Sequence, residues 1–158
     1  MESVILVKYE RGCEDMSAHQ GFYFNDENVN FDAFVGKTVF IDVRDFSSEK
    51  VLELGKNLAH LDAYYVTDNM MQVAFLKSLN PSAKISFYYE KFTPDIIPFA
   101  TANGFDVTFN YQTLAPERVL ALHNAGIKVN AMLVAHNDEV GVLKYYNVDY
   151  ITVSSNLK

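Results

Sequence analysis

Short apolar or alternating runs recur at nearly even intervals along this chain: Thr38 to Val43, Ala63 to Thr67, Lys84 to Tyr89, Phe105 to Phe109, Ile127 to Leu133 and Val148 to Val153. Between each pair lies a segment carrying helix signals. A series of parallel strands demands this alternation, because a parallel neighbour is reached only through a crossover of a dozen or more residues. The rhythm predicts an α/β fold of successive βα units from Lys37 onward.

The helices are bracketed by local chemistry. Ser47 or Ser48 is placed to cap a helix over Glu49 to His60, whose Val51, Leu52, Leu54, Leu58 and Leu61 fall on one broad face. Thr93-Pro94 and Ala115-Pro116 put proline where a first helical residue belongs, and Gly104 and Gly126 follow where left-handed caps are expected. Met70 to Leu79 stops before Pro81, while Asn137-Asp138-Glu139 supplies a cap and an acidic first turn to a helix ending near Tyr146.

Ahead of this region the rhythm breaks. Val4 to Lys8 and Gly21 to Asn25 read as strands, but the stretch between them is too short for a usual helical crossover. One domain over 1–158 is therefore expected, with 1–36 a hairpin or irregular cap and 37–158 the βα units. No low-complexity tract or linker marks a second domain. A complete eight-unit barrel typically takes ~250 residues. A chain of 158 predicts a reduced barrel, an open one, or one completed by another chain.

Charge and composition exclude several partners. A net charge of −7 and a pI near 5.0 repel nucleic acid and anionic membranes, although a local basic pocket for one phosphate is compatible with them. Cys13 is the only cysteine, so no intrachain disulfide forms and no Cys/His cluster suggests structural zinc. No run approaches the ~18 to 20 apolar residues of a membrane span, and MESVILVKYERG lacks the features of a signal peptide. A cytoplasmic location is the expectation.

Alternation along the strands sorts the polar residues. Phe40, Asp42 and Arg44 share one face against Val39, Ile41 and Val43; Ser86, Tyr88 and Glu90 oppose Ile85, Phe87 and Tyr89; Asp106, Thr108 and Asn110 oppose Phe105, Val107 and Phe109. If the strands are parallel, Arg44, Glu90 and Asn110 converge at the carboxyl ends, where barrel enzymes build their sites. There Asp42 and Glu90 are candidates to hold Mg²⁺ or Ca²⁺, and Arg44 to grip a phosphate bidentately. The competing reading pairs Asp42 with Arg44 or with other neighbours, as polar groups in a dry lumen require. His60 and His123 sit near helix ends and read as structural, His136 is a loop residue at the mouth, and the tyrosines read as packing residues.

The order FIDVRD, LDAYYVTDN, LKSLNPSAKISFYYE, GFDVTFNYQTLAPERVLALHNAGIKVNAMLV and NVDYITVSS resembles the later part of the TIM-type barrel of glycerophosphodiester phosphodiesterases, over about three quarters of the chain. The stretch from Pro116 through Val129, followed by Val148-Asp149-Tyr150-Ile151-Thr152, is similar to that family's helix, AGxKV strand and final GVDxIxT strand. Asp42-Val43-Arg44 falls where the family has Glu-Leu-Lys. The resemblance thus implies metal binding at Asp42 and phosphate binding at Arg44. It also implies phosphodiester or phosphate-bearing small molecules as ligands, and lipid metabolism as the setting.

The family's HRG strand end and the Glu-x-Asp pair after it have no intact counterpart. Glu10-Arg11-Gly12 is similar to HRG with glutamate for histidine, and Ala18-His19-Gln20-Gly21 to AHRG with glutamine for arginine. On this resemblance Glu10 or His19 is the candidate to fill the lost catalytic role and Arg11 to contact phosphate, and Asn110, from its place at a strand's carboxyl end, joins Arg44 and Arg11 as a phosphate contact. The tryptophan usual on the seventh strand is also missing, with Met132 or Leu133 near its position. Loss of several members of a cooperating site removes most activity. Three readings follow: a degenerate barrel that binds phosphate or a divalent cation with little or no catalysis; an active metal-dependent hydrolase; or an interaction module of a larger assembly such as a virion, homo-oligomeric or with a partner chain covering the barrel edges.

Overall fold

A computed structural model describes residues 4–11, 36, 38–58, 61–134 and 136–153. The chain order is β1 (Val4–Glu10), β2 (Thr38–Asp42), α1 (Ser48–Leu58), β3 (Asp62–Thr67), α2 (Met70–Leu79), β4 (Lys84–Tyr89), α3 (Ile96–Asn103), β5 (Asp106–Asn110), a 3-10 turn (Tyr111–Thr113), α4 (Pro116–Asn124), β6 (Val129–Val134), α5 (Asn137–Tyr145) and β7 (Tyr150–Val153). The α/β alternation expected from Lys37 onward is present. The expected strand Gly21 to Asn25 lies outside the described residues.

Strands β2 to β7 run parallel in sequence order, and β1 closes the ring by pairing antiparallel with both β2 and β7. The result is a reduced TIM-type barrel of six parallel strands and one antiparallel strand. The outer strand edges, expected to invite a partner chain, are occupied by β1 of the same chain. Such pairing satisfies the backbone groups an edge leaves unmet.

The two faces of each strand bury different chemistry. Outward Val39, Ile41, Ile85, Val107, Val129 and Ile151 pack beneath the helices, which contribute pairs such as Val51 and Leu54, Val73 and Leu76, and Val119 and Leu122. Inward Phe40, Tyr64, Val66, Met132 and Tyr150 form a second cluster that fills the lumen, with Phe40 stacked on Tyr64 at 4.9 Å and Tyr150 edge-on at 5.0 Å. Buried Ser86, Thr108 and Asn130 join them through bonds from Ser86 Oγ to Thr108 Oγ1 (2.5 Å) and Asn130 Nδ2 to Thr108 Oγ1 (3.3 Å). The lumen is therefore a packed core rather than a channel, and ligands have access only to its ends.

Caps explain where the helices start and stop. Ser47 Oγ accepts the Lys50 amide at 3.2 Å, Pro116 opens α4, and Gly104 (φ 69°) and Gly126 (φ 77°) take the left-handed conformation after α3 and α4. Three details differ from expectation. Pro94 and Asp95 form a turn, so α3 opens at Ile96. His136 rather than Asn137 holds the cap position of α5, and α5 is followed by Asn147 at φ 69° where glycine is commoner. Asn69, not singled out in the sequence, caps α2 by accepting the Met71 amide at 2.8 Å.

Candidate functional site at the carboxyl mouth

The carboxyl ends of β2, β4 and β5 bring Arg44, Glu90 and Asn110 to one mouth, as the alternation predicts. The loop after β2 is pinned on both sides: Val43 N–H donates to Val66 O (3.0 Å), and the Val43 carbonyl accepts from Gln72 Nε2 (2.5 Å). Arg44 is thereby presented from a fixed backbone.

Its guanidinium forms a fork on Asp42, Nε to Oδ1 at 3.0 Å and Nη2 to Oδ2 at 2.8 Å, while the Arg44 amide also donates to Oδ1 at 3.1 Å. The same guanidinium lies 4.1 Å from the centre of the Tyr88 ring. The Asp42 bonds, more than any other contact, hold Arg44 protonated beyond its ordinary range. Tyr88 donates its hydroxyl to Glu90 Oε2, and Asn110 Nδ2 donates to Glu90 Oε1 at 2.9 Å. These two bonds hold the fully exposed Glu90 carboxyl below its usual range, Tyr88 contributing most.

Two adjoining cavities open on this arc. One of about 160 Å³ is lined by Arg44, Tyr88, Asn110, Tyr111, Gln112 and Met132. The other, about 380 Å³, shares Asn110 and Gln112 and adds Glu90, Lys91, Thr113 and Arg118. Thr113 ties the second together: its hydroxyl accepts the Phe92 amide at 2.9 Å, and its carbonyl accepts from Arg118 Nη1. Asn110 Oδ1 accepts the Gln112 amide at 3.1 Å, fixing the 3-10 turn against the strand end.

The metal assignment of Asp42 and Glu90 does not fit this geometry. Both Asp42 oxygens are engaged by Arg44, whose guanidinium lies over the Tyr88 ring and puts a positive charge where a dication would be repelled. Among the described residues no three His, Cys, Asp or Glu side chains gather to hold an ion. The ion-pair alternative is the arrangement present.

Glu10 and Arg11 are not at this mouth. Because β1 is antiparallel, its carboxyl end meets the start of β7: Glu10 pairs with Tyr150, whereas Val4 pairs with Ile41 at the other end. Six strand residues separate the ends by about 20 Å. Arg11 instead contacts Asp149 (Nη2 to Oδ1, 3.0 Å) and His123 Nδ1 (3.3 Å). Asp149, buried, also accepts the Val129 amide at 2.7 Å and contacts His123 Nε2 at 2.6 Å. His123 thus joins Arg11 and Asp149 in a polar cluster at the end opposite Arg44. His19 and His60 lie outside the described residues, and His136 is exposed and lines neither cavity. The tyrosines largely pack, but Tyr145 is exposed.

Sequence reasoning missed Lys91, Tyr111, Gln112 and Arg118. Lys91 directly follows the strand-end Glu90, and Arg118 lies in the first turn of the helix leaving the same mouth. Those positions were the available signal.

A reduced βα barrel with its polar site at the carboxyl ends is the class this fold and site define. No family model and no curated protein matches the sequence. Solved structures identify the fold more narrowly as that of the glycerophosphodiester phosphodiesterases. The chain is similar to a protein assigned as one of these enzymes from Galdieria sulphuraria, with 19% identity, TM-score 0.60, and coverage of 72% of this chain and 48% of that one. It is also similar to a phosphodiesterase of Oleispira antarctica in complex with the product sn-glycerol-3-phosphate (15%, 0.61, 70% and 47%). A third likeness is to a protein assigned as a glycerophosphoryl diester phosphodiesterase from Silicibacter pomeroyi (13%, 0.57, 67% and 40%). The chain matches less than half the length of each. Among the described residues no helix is long and apolar enough to cross a membrane.

Proposed function

We propose that this phosphodiesterase-like barrel binds a small phosphate-bearing molecule at its carboxyl mouth and has little or no hydrolytic activity. The observation that carries the reading is the closed arc Asp42–Arg44–Tyr88–Glu90–Asn110, in which each carboxylate is already bonded to a neighbour. A guanidinium has five N–H donors, and Asp42 takes two of them, so Arg44 keeps donors for a ligand while its partner holds it in place. Metal-assisted hydrolysis needs a carboxylate free to hold a cation and a group free to move a proton. Asp42 and Glu90 are each committed elsewhere, and Glu10 faces the other end of the barrel.

Thermal melting with glycerol phosphate, Mg²⁺, Ca²⁺ and EDTA, beside Arg44→Ala, tests the reading, because a ligand of the folded state raises the midpoint. Glycerol phosphate is expected to raise the melting temperature of the parent, with the rise lost in Arg44→Ala and unaffected by EDTA. Absence of any rise refutes phosphate binding. Turnover of a glycerophosphodiester that EDTA abolishes refutes the non-catalytic part.

A further inference from the structure

Arg44, the cation the sequence resemblance assigns to phosphate, is charge-neutralised by a bidentate carboxylate. The uncompensated cations of the mouth stand next door. Lys91 is exposed and forms no salt bridge among the described residues, and it feels Glu90 only as a nearby charge. Arg118 spends Nη1 on neutral acceptors, the Thr113 carbonyl and hydroxyl, and lies over the Phe92 ring at 5.5 Å. Both line the cavity of about 380 Å³, together with the side-chain amides of Asn110 and Gln112 and the lone carboxylate of Glu90.

We propose that Lys91 and Arg118 form a phosphate-accepting subsite beside Arg44, and that the neighbouring cavity of about 160 Å³ takes the hydroxylated part of the same molecule. The assignment rests on the mouth reading above and names which end of the ligand goes where. Charge decides the placement. A phosphate monoester dianion at Arg44 sits within reach of Asp42 and meets a neutral pair, whereas between Lys91 and Arg118 it meets two positive charges and one negative. Arg118 is braced by Thr113, so little freedom is lost when its remaining donors take up phosphate oxygens. In the smaller cavity the Tyr88 and Tyr111 hydroxyls donate to Glu90 and Glu139, so their oxygens are left to accept from a small polyol, beside the side-chain amide of Gln112.

The test titrates inorganic phosphate, glycerol and sn-glycerol 3-phosphate into the parent protein, Lys91→Ala, Lys91→Glu, Arg118→Gln and Arg44→Ala. Amide chemical shifts report binding, and a melting curve of each variant checks that it is folded. Lys91→Ala is expected to weaken inorganic phosphate about tenfold, the cost of one charge-assisted hydrogen bond. Lys91→Glu abolishes it, and Arg44→Ala weakens glycerol phosphate more than inorganic phosphate. Lys91 carries no hydrogen bond to another described residue, so its variants keep the fold and leave the test intact even if Arg118→Gln unfolds. Phosphate binding that Arg44→Ala abolishes and both Lys91 variants retain overturns this assignment while leaving the mouth reading in place. No binding of either phosphate by the parent overturns both.

Discussion

Asp149 ties β1 to β6 and α4 at the amino end of the barrel, and Asp149→Ala is expected to be a costly polar change among the described residues. Its side chain is 6% exposed and accepts three groups: the Val129 amide at 2.7 Å, His123 at 2.6 Å and Arg11 at 3.0 Å. The substitution leaves the buried Val129 amide without a partner, a cost of about 1–3 kcal/mol. It also strips His123, 16% exposed, of its acceptor, for about 1 kcal/mol more. Arg11, at 41% exposure, stays solvated and contributes no more than about 1 kcal/mol. The total is about 2–5 kcal/mol, overlapping the range found when one partner of a buried pair is removed. For a chain of this size that lowers the melting temperature by about 10 °C. Urea denaturation followed by far-UV circular dichroism measures it, with Arg11→Ala as the comparison, expected to cost less than about 1 kcal/mol. Equal losses in the two variants, or an Asp149→Ala loss below about 1 kcal/mol, refute the idea that the buried amide and histidine dominate.

The buried tyrosines of the lumen and of the outer core predict an alkaline limit. Burial raises the hydroxyls of Tyr64, Tyr65, Tyr89 and Tyr150, with Asp106 adding to the effect at Tyr64; Tyr89 and Tyr150 are pushed up to about 12. The folded state therefore holds protons that the unfolded chain releases near pH ~10, so stability is full below that pH and falls as pH rises above it. Absorbance of these phenolates is expected to appear only together with loss of far-UV dichroism, and a phenolate count reaching all ten tyrosines in a native fold argues against the burial of these hydroxyls. Gly104→Ala is expected to cost about 1 kcal/mol by denaturation, from its φ of 69° alone, since no atom lies within 4 Å of the added carbon. An unchanged midpoint denies that position its left-handed constraint.

Much of this was legible in the residues. The six-strand rhythm, Pro116 at a helix start, Gly104 and Gly126 at helix ends, and the split of Asp42, Tyr88 and Asn110 from Ile41, Phe87 and Phe109 are short-range properties. A cap or a side-chain period is decided within a few residues, and the chain carries it wherever the segment ends up. For the same reason the polar mouth, with Arg44, Glu90 and Asn110 together, was visible once the strands were taken as parallel.

What the tertiary structure alone decided concerns groups far apart in the chain. The direction of β1 depends on which strands it can pair, and by running antiparallel it closes the barrel and carries Glu10 and Arg11 to the end opposite Arg44. Arg11 lies 138 residues before Asp149 yet meets it, and no local pattern encodes that contact. The mutual fork of Asp42 and Arg44 is two residues apart and was one of two open readings. Only the folded chain sets that fork against the Tyr88 ring and ties Glu90 to Tyr88 and Asn110. The sequence by itself determined the units and the faces they bury, because those depend on period and capping. Which charge meets which was settled by closure of the sheet, because electrostatic partners are chosen by distance in space.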